Sequence, residues 1–283
     1  MIISITGNSG SGKDRLIESL KSLLPFNSTV MISGDSYHKY TRAEQKKLKT
    51  TNLNPKNSDL VKLHHDIKKL KNKKSISVKT YDHFDGKFGK ELIYHQKKFI
   101  FFNGLHNLIN KKIRNLFDLN IFIDMDYRLN RFFKVRRDVR RRSYNYQEVL
   151  ETIKKRENEY KEFIKTQSQF ADIIIKFKSN KKYIIPRDIK LNKITGLKVD
   201  VKIKNKKIDL SELLEKTNFN NYYNFSFDEK INLRVIKKKF IDFGNKNNLS
   251  PNMLLNSKID QFLQIIISYT IIKIFNENKS QIK

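Results

Sequence analysis

The sequence predicts an α/β fold with a mainly parallel sheet, helices on both faces and a smaller α+β region at the C-terminal end. Short apolar runs alternate with amphipathic segments over the first 178 residues, which is typical of buried parallel strands joined by helices. A glycine-rich loop joins the first apolar run to the first helical segment. After residue 178 the apolar residues alternate with polar ones, which favours small antiparallel strands.

The predicted strands are short apolar runs bounded by polar residues or glycine: Met1–Ile5, Val30–Ser33, Phe99–Phe102, Leu119–Asp126 and Ala171–Phe177. The predicted helices repeat apolar residues every three or four positions, and Pro25 ends the first of them. They are Lys13–Leu24, Ser58–Asn72, a basic segment Arg128–Ser143 and a long helix after Asn145, with Glu148 placed as in a capping box.

Residues 1–178 form the first predicted domain and residues 179–283 a C-terminal α+β extension, with the break near Ser179–Pro186. Within the extension, Leu197–Leu210 alternates like antiparallel strands, and helices are expected near Ser226–Asn245 and Ser257–Asn276. The function of the extension is not indicated by any motif.

Composition limits the function classes. The 283 residues include 59 Lys and Arg against 29 Asp and Glu, a formal charge of +30, which favours polyanionic partners such as nucleic acid, acidic membrane or phosphorylated small molecules. The alternative is a general bias toward Lys, Asn and Ile. Because cysteine is absent, disulfides and thiolate catalysis are excluded.

The apolar stretches do not indicate membrane insertion. The N-terminal MIISITG lacks the charged leader of a secretory signal. Phe262–Phe275 is interrupted by polar residues and is shorter than a membrane span, so a buried helix is the better interpretation. We expect a cytoplasmic protein.

The loop GNSGSGKD follows the pattern of a phosphate-binding P-loop, G-x-x-x-x-G-K, between a strand and a helix. Its glycines let backbone N–H groups approach phosphate oxygens, and Lys13 reaches the β- and γ-phosphates. The alternative is a glycine-rich turn without a ligand. The nucleotide-binding residues predicted in the loop are Gly7, Asn8, Ser9, Gly10, Ser11, Gly12, Lys13 and Asp14.

Further motifs follow in a consistent order over Met1–Phe177: GDSYHKYTR, LNPKNSDLVKL, YDHFDG, FFNGLHNL, IFIDMD and FKVRRDVRRRSYNYQEVLETI…RENEYKEFIKTQSQFADIII. Together with the loop, they resemble the phosphoribulokinase/uridine kinase family. NPKNSDL, GLH and the last segment are nearer to the phosphoribulokinases. The resemblance implies a P-loop kinase fold and phosphorylation of a small-molecule hydroxyl by ATP with Mg²⁺.

The resemblance also implies roles for residues around the acceptor. Asp35 matches the family's catalytic acid, which takes the hydroxyl proton or holds a metal-bound water; the alternative is a residue that only caps a turn. The residues that match the family's acceptor-contacting segments are His38, Lys39, Arg42, Tyr81, Asp82 and His83. Their positive charge would suit an acceptor that already carries a phosphate, although ordinary turn histidines are an alternative for His38 and His83.

Lys134, Arg137 and Arg142 match the family's basic lid, which closes over ATP and neutralises charge on the transferred group. A solvated basic helix or a nucleic-acid stripe is the alternative. Asp126 ends its strand where the family carries an acid, but Asp124 could be the polar residue instead. For His106 in GLH, packing is as well supported as chemistry.

The sequence departs from the family at three positions. Asp14 replaces the Ser or Thr that binds Mg²⁺, Asn103 replaces the Glu of E-G-L-H, and Ser143 replaces a lid glycine. One carboxylate is therefore gained at Asp14 and one lost at Asn103, which favours a relocated metal ligand over a damaged site. We expect Asp14 and Asp35 to bind the metal.

The leading hypothesis is an ATP-dependent kinase for a sugar, a sugar phosphate or a nucleoside. One alternative is a nucleotide-binding pseudokinase with an altered metal site. A less favoured one is a basic nucleic-acid-binding protein on a P-loop scaffold. The acceptor and a homo-oligomeric state are left open.

Overall fold

The computed structural model describes residues 1–183, 185, 187–191, 194–205, 208–214, 223–228 and 233–280. Its strands are β1 (Ile2–Gly7), β2 (Thr29–Ser33), β3 (Ile76–Tyr81), β4 (Phe88–Tyr94), β5 (Phe99–Gly104), β6 (Leu119–Met125), β7 (Ile173–Ser179), β8 (Leu197–Ile203) and β9 (Tyr223–Asp228). In this part of the chain, seven strands form one sheet in the order β2-β5-β1-β6-β7-β8-β9. The first five of these run parallel to one another, β8 pairs antiparallel with β7, and β9 pairs antiparallel with β8. The predicted fold class is confirmed.

The helices cover both faces of the sheet. They are α1 (Lys13–Leu23), α2 (Arg42–Lys47), α3 (Leu60–Lys71), α4 (Lys111–Arg114), α5 (Tyr127–Arg142), α6 (Tyr146–Lys155), α7 (Glu157–Glu159), α8 (Arg234–Lys246) and α9 (Lys258–Ser280). Successive residues of a strand point to opposite faces. Ile3 and Ile5 of β1 therefore belong to the hydrophobic core that includes α1 and α9, whereas Ile2 belongs to the core that includes α3.

The long helix predicted after Asn145 is not continuous. The Asn145 side chain caps α6 by accepting hydrogen bonds from the backbone N–H groups of Gln147 and Glu148. Beyond α7 the backbone turns into π-helix and then 3₁₀-helix, over Tyr160–Ile164 and Lys165–Phe170. The change brings the buried Gln167 side chain to the backbone N–H of Leu108, where it accepts a 3.0 Å hydrogen bond. A buried backbone N–H group needs such a partner. The helical periodicity of the sequence does not reveal the contact between Gln167 and Leu108.

The region after residue 178 continues the sheet and packs on α1. Strand β8 pairs with β7, and the Gln264 side chain of α9 donates a 2.8 Å hydrogen bond to the carbonyl of Ser19 in α1. The helix predicted near Ser226–Asn245 is partly wrong, because Tyr223–Asp228 is a strand that pairs with β8 before α8 begins. Residues 229–232, Ile184 and Pro186 of the predicted domain break, and residues 206 and 207 of the predicted segment Leu197–Leu210 lie outside the described residues.

Phe262–Phe275 lies within α9, whose residues are mostly buried. No helix in the described part of the chain has the length and apolar character needed to cross a bilayer. The hairpin of β3 and β4, which pairs antiparallel outside the main sheet, was not predicted from the sequence. The division into regions 1–178 and 179–283 stays a prediction.

Ile267→Ala tests whether these two regions fold together. Ile267 of α9 is fully buried in the core that also contains Leu20 of α1, so the substitution should lower the free energy of unfolding by about 2–4 kcal/mol. We expect one urea transition, followed by far-UV circular dichroism and tyrosine fluorescence. The exposed Val235→Ala on α8 is the control, with a change below about 0.5 kcal/mol. Two separate transitions would show independent domains.

Candidate active site

A cleft of about 1450 Å³ opens at the carboxyl ends of the parallel strands, where ligands bind in sheets of this kind. Most of the predicted site residues line it: Ser9, Gly10, Ser11, Gly12, Lys13, Asp14, Asp35, His38, Arg42, Tyr81, His83, Asn103, Lys134, Arg137 and Arg142. The sheet register explains their proximity. Strand β5 lies between β1 and β2, so that Gly104 pairs with Thr6 and Asn103 with Ser33.

The glycine loop is shaped by close backbone contacts. A Cβ atom on Gly7 would lie 2.4 Å from the carbonyl oxygen of Ile123, and Gly10 has a φ of +81°, which glycine adopts at little cost. Lys13 Nζ donates to the carbonyl oxygens of Gly7 and Asn8, at 2.9 and 2.8 Å. Burial lowers the pKa of Lys13 to about 8, against the raising effect of Asp14 and Asp35.

The two metal-site departures, Asp14 and Asn103, are in direct contact. Asp14 lies in the first turn of α1 and Asn103 near the end of β5. The Nδ2 group of Asn103 donates a hydrogen bond to Oδ1 of Asp14. The buried Oδ1 of Asn103 and the buried Oγ of Ser11 have no hydrogen-bond partner within the described part of the chain. Oxygen acceptors of this type suit Mg²⁺.

Asp35 is held between two histidines. Its Oδ2 lies 2.9 Å from Nε2 of His83 and its Oδ1 lies 3.2 Å from Nε2 of His38. Asn52 Nδ2 lies 3.1 Å from His38 Nδ1, so a neutral His38 carries its proton on Nε2, facing Asp35. Burial alone raises the pKa of the Asp35 carboxyl, but hydrogen bonds and charge from both histidines outweigh it and hold the pKa well below its usual value.

Tyr81 and Arg42 fix this arrangement. The Tyr81 ring makes edge contacts with the rings of His38 and His83, with centroids 5.0 and 5.4 Å apart. Arg42 donates to the carbonyl oxygen of His83 at 2.6 Å, and the Tyr144 hydroxyl donates to the same oxygen. The guanidinium of Arg42 therefore positions His83, in addition to bordering the cleft.

Three of the predicted acidic residues lie outside the cleft lining. Asp82 is exposed, and its carboxylate accepts a 2.7 Å hydrogen bond from the backbone N–H of Phe84. Asp124 accepts from the Tyr160 hydroxyl at 3.1 Å. Asp126 precedes α5, with Lys176 Nζ 3.7 Å from its carboxylate. The geometry gives these residues turn and packing contacts.

His106 also lies outside the cleft lining, near His38. Its Nε2 donates to the carbonyl oxygen of Asn52 at 2.9 Å, and Asn52 in turn contacts His38. Burial lowers the pKa of His106 to about 4, so the ring is neutral at physiological pH. His106 therefore packs against Asn52 and helps to position it beside His38.

Helix α5 carries the predicted lid cations around one buried carboxylate, Asp138. Lys134 Nζ lies 2.8 Å from Asp138 Oδ2, Arg137 Nη2 lies 2.8 Å from Oδ1, and Arg142 Nη1 lies 3.3 Å from Oδ1. One negative charge thus faces three positive ones. Burial lowers the pKa of Lys134 to about 8, while Asp138 acts in the opposite direction.

Helix α5 touches the glycine loop directly. Arg137 Nη2 donates to Ser9 Oγ at 3.1 Å, and the side chains of Asn130 and Asn8 share a 3.0 Å hydrogen bond. The helix ends at Ser143, whose φ is +54°. Glycine adopts this left-handed backbone without a Cβ penalty, which explains why a glycine suits the position that Ser143 occupies here.

Sequence reasoning missed several residues of the site. Asp138 stands four positions after Lys134, a spacing that does signal a helical ion pair. Arg156 lines the cleft, and so does the start of α9, where Asp260 forms an ion pair with Arg15. Tyr144 lies in a quoted motif and α9 was predicted as a helix, but no sequence signal placed either of them at the cleft. Among the described residues, no group of three His, Cys, Asp or Glu side chains is arranged to hold a metal.

Comparison with known proteins identifies the class. A sequence model of the phosphoribulokinase / uridine kinase family matches residues 2–183. The chain is 28% identical over 175 residues to a phosphoribulokinase of Synechocystis sp., covering 62% of this chain and 53% of the relative. It is 30% identical over 207 residues to a uridine kinase of Staphylococcus epidermidis, covering 69% of this chain and 96% of the relative.

The chain therefore belongs to the phosphoribulokinase/uridine kinase family. It spans about half the length of the phosphoribulokinases that it matches. The fold is also similar to the structure of phosphoribulokinase from Rhodobacter spheroides, with a TM-score of 0.66, 19% identity and 98% coverage of both chains. The fold similarity thus extends beyond the sequence match into the C-terminal region.

His83→Ala tests the cause of the low pKa of Asp35. Removing the 2.9 Å contact should raise the carboxyl pKa toward its usual value of about 3.9, as measured by ¹³C NMR titration. Because the folded pKa is depressed, Asp35 stabilises the protein above the unfolded pKa, and this stabilisation is lost as pH falls through the folded pKa. The variant should lose less stability on acidification. The exposed His65→Ala on α3 is the control; equal pKa values in both variants would refute the explanation.

Asp138→Asn tests the buried counterion. Leaving Lys134 buried without its carboxylate should lower the free energy of unfolding by about 3 kcal/mol, measured by urea denaturation. The double variant Lys134→Met with Asp138→Asn should recover part of that loss. Glu157→Gln is the control, because its partner Lys161 is exposed, and should cost under about 1 kcal/mol. A double variant as unstable as the sum of its single variants would exclude the pairing.

Proposed function

We propose that the protein is an ATP-dependent kinase that transfers the γ-phosphoryl group to a hydroxyl of a small anionic molecule. The acceptor class that we propose is a sugar phosphate. The observation that carries the proposal is the common cleft of Lys13, Asp35 and the α5 cations. A phosphate-binding loop, a carboxylate base and a basic lid are the parts that phosphoryl transfer requires.

The proposed ATP site lies between the glycine loop and α5. Backbone N–H groups of Gly10–Lys13 would bind phosphate oxygens, with Lys13 beside them. Lys134 and Arg137 lie directly against Ser9 and Gly10, where they can neutralise charge that grows on the transferred group. Arg142 completes this cluster through Asp138. Closure of α5 over the loop would exclude water and so suppress hydrolysis.

Asp35 is the proposed base. Its depressed pKa keeps the carboxylate ionised at neutral pH, and its two histidine contacts fix its orientation. The acceptor oxygen forms a bond to the γ-phosphorus while the bond to the β–γ bridging oxygen breaks. The hydroxyl proton passes to Asp35 as the new bond forms.

The residues present fit a divalent cation. Asp14 and Asp35 supply carboxylate oxygens at the cleft, and the buried, unpartnered Oγ of Ser11 adds a further oxygen there. Mg²⁺ uses one or two carboxylates together with phosphate oxygens and water. The bound ion would supply neutralisation of phosphate charge.

The charge around Asp35 favours an acceptor that carries a phosphate over a neutral nucleoside. His38, His83, Arg142 and Arg156 border this side of the cleft. Arg42 adds positive charge beside them, although its guanidinium is already bonded to the carbonyls of His83 and Phe84. Within the described residues, no hydrogen bond is recorded for the guanidinium of Arg156. The cleft lining contains more Lys and Arg than Asp and Glu residues, and an excess of one sign of charge concentrates ligands of the opposite sign.

Asp35→Asn tests the base. Transfer from γ-labelled ATP should fall by about 10²–10⁴-fold, while ATP binding measured by calorimetry stays within about threefold. The assay uses a panel of nucleosides, sugars and pentose phosphates, with and without Mg²⁺. Asp85→Asn is the control, because Asp85 is exposed and its carboxylate accepts a turn hydrogen bond from the backbone N–H of Lys87.

Normal turnover by Asp35→Asn would remove the assigned role of the residue. ATP binding without transfer to any acceptor on the panel would instead support the pseudokinase alternative. Preferential turnover of neutral acceptors would overturn the choice of a sugar phosphate while leaving the kinase activity intact.

A further inference from the structure

We propose that Asp14 and Asn103 act as one exchanged pair, in which the Asp14 carboxylate binds the divalent cation of a metal–nucleotide complex and the Asn103 carboxamide holds that carboxylate in place. The inference rests on the proposed function. It goes further, because it states that the nucleotide affinity depends on the divalent cation through one contact, the one between Asp14 and Asn103.

The first argument is geometric. Asp14 and Asn103 come from different elements, 89 positions apart, yet the Asn103 Nδ2 group donates directly to Oδ1 of Asp14. A carboxylate only accepts hydrogen bonds, whereas a carboxamide both donates and accepts. Asn103 is therefore able to orient Asp14, and no other hydrogen bond to the Asp14 carboxylate is recorded among the described residues. The second carboxylate oxygen stays available to a cation.

The second argument concerns which combinations can coexist. Two carboxylates at hydrogen-bond distance cannot both be ionised without a large shift in pKa. A glutamate at position 103 would therefore conflict with Asp14, and a hydroxyl at position 14 with Asn103 would leave no carboxylate in the pair. Of these combinations, two keep one negative charge: a hydroxyl at position 14 with a carboxylate at position 103, or a carboxylate at position 14 with a carboxamide at position 103.

The third argument is the surrounding set of ligand atoms. The Oδ1 of Asn103 and the Oγ of Ser11 are both buried oxygens without a recorded partner in the described residues, and Ser11 is only 1% exposed. Both residues line the same cleft as Asp14 and Asp35. Unpaired buried oxygens are costly unless a donor or a cation satisfies them, and hard oxygen atoms are the ligands that Mg²⁺ prefers.

The charge of Asp14 then has opposite effects on nucleotide affinity in the presence and in the absence of the cation. Asp14 adjoins Lys13, the residue placed for the phosphates. Without a divalent cation, its carboxylate repels the nucleotide phosphates; with one, it attracts the complex. Removing the charge should therefore strengthen metal-free binding and weaken metal-dependent binding. A residue with only a structural role would not change the two affinities in opposite directions.

The experiment is calorimetric titration of the full chain with a non-hydrolysable ATP analogue, in Mg²⁺ and in EDTA. The coupling ratio is the dissociation constant in EDTA divided by that in Mg²⁺. Asp14→Asn keeps the side-chain shape and should reduce the ratio at least about tenfold, with tighter binding in EDTA. The double variant D14S/N103E should restore the ratio to within about threefold of the unmodified chain.

A direct metal readout accompanies the titration. Electron paramagnetic resonance with Mn²⁺ and the same analogue should show weaker Mn²⁺ binding in Asp14→Asn and recovery in D14S/N103E. An unchanged coupling ratio in Asp14→Asn, or no recovery in the double variant, overturns the exchanged pair alone. Failure of the unmodified chain to bind the analogue under either condition overturns the proposed function and this inference together.

Discussion

The site depends on the parallel pairing of β5 between β1 and β2. Because the three strands run in one direction, their carboxyl ends meet at a single edge of the sheet. The glycine loop follows β1, Asp35 follows β2, and Asn103 lies near the end of β5. The fit is tight: a Cβ atom on Gly34 would lie 2.7 Å from the Cα of Gly104. A slip in register would separate the glycine loop from Asp35.

Part of the high net charge of the chain is organised locally around two acids, the buried Asp138 and the partly exposed Asp35. Asp138 holds three cations of α5, and Asp35 holds two histidines. Asp138 keeps its positive neighbours in a defined place without cancelling their charge, and Asp35 fixes the orientation of its two histidines. The buried position matters, because electrostatic interactions there are less screened than at the surface. The cations thus remain directed toward the cleft rather than spread over a solvated helix face.

The sequence allowed the central strands, the glycine loop between β1 and α1 and most of the cleft lining to be predicted, because apolar runs and glycine spacing are local signals. His83 meeting Asp35 could be expected only from the family resemblance, since 48 positions separate them. The β3–β4 hairpin and the approach of α9 to the cleft had no such signal, and tertiary packing decides them. The last three residues of the strand Tyr223–Asp228 fall within the helix predicted near Ser226–Asn245, because so short a run carries little periodicity.

The same limit explains why Asp14 and Asn103 are hard to interpret along the sequence. Each departure alone removes a group that the family uses, and together they are consistent with either damage or exchange. The three-dimensional contact changes this comparison. Independent losses would have no reason to produce a matched donor and acceptor across two elements, whereas an exchange requires one. A carboxylate that meets its carboxamide at the end of the central strands preserves the charge of the site, so the contact favours a relocated ligand.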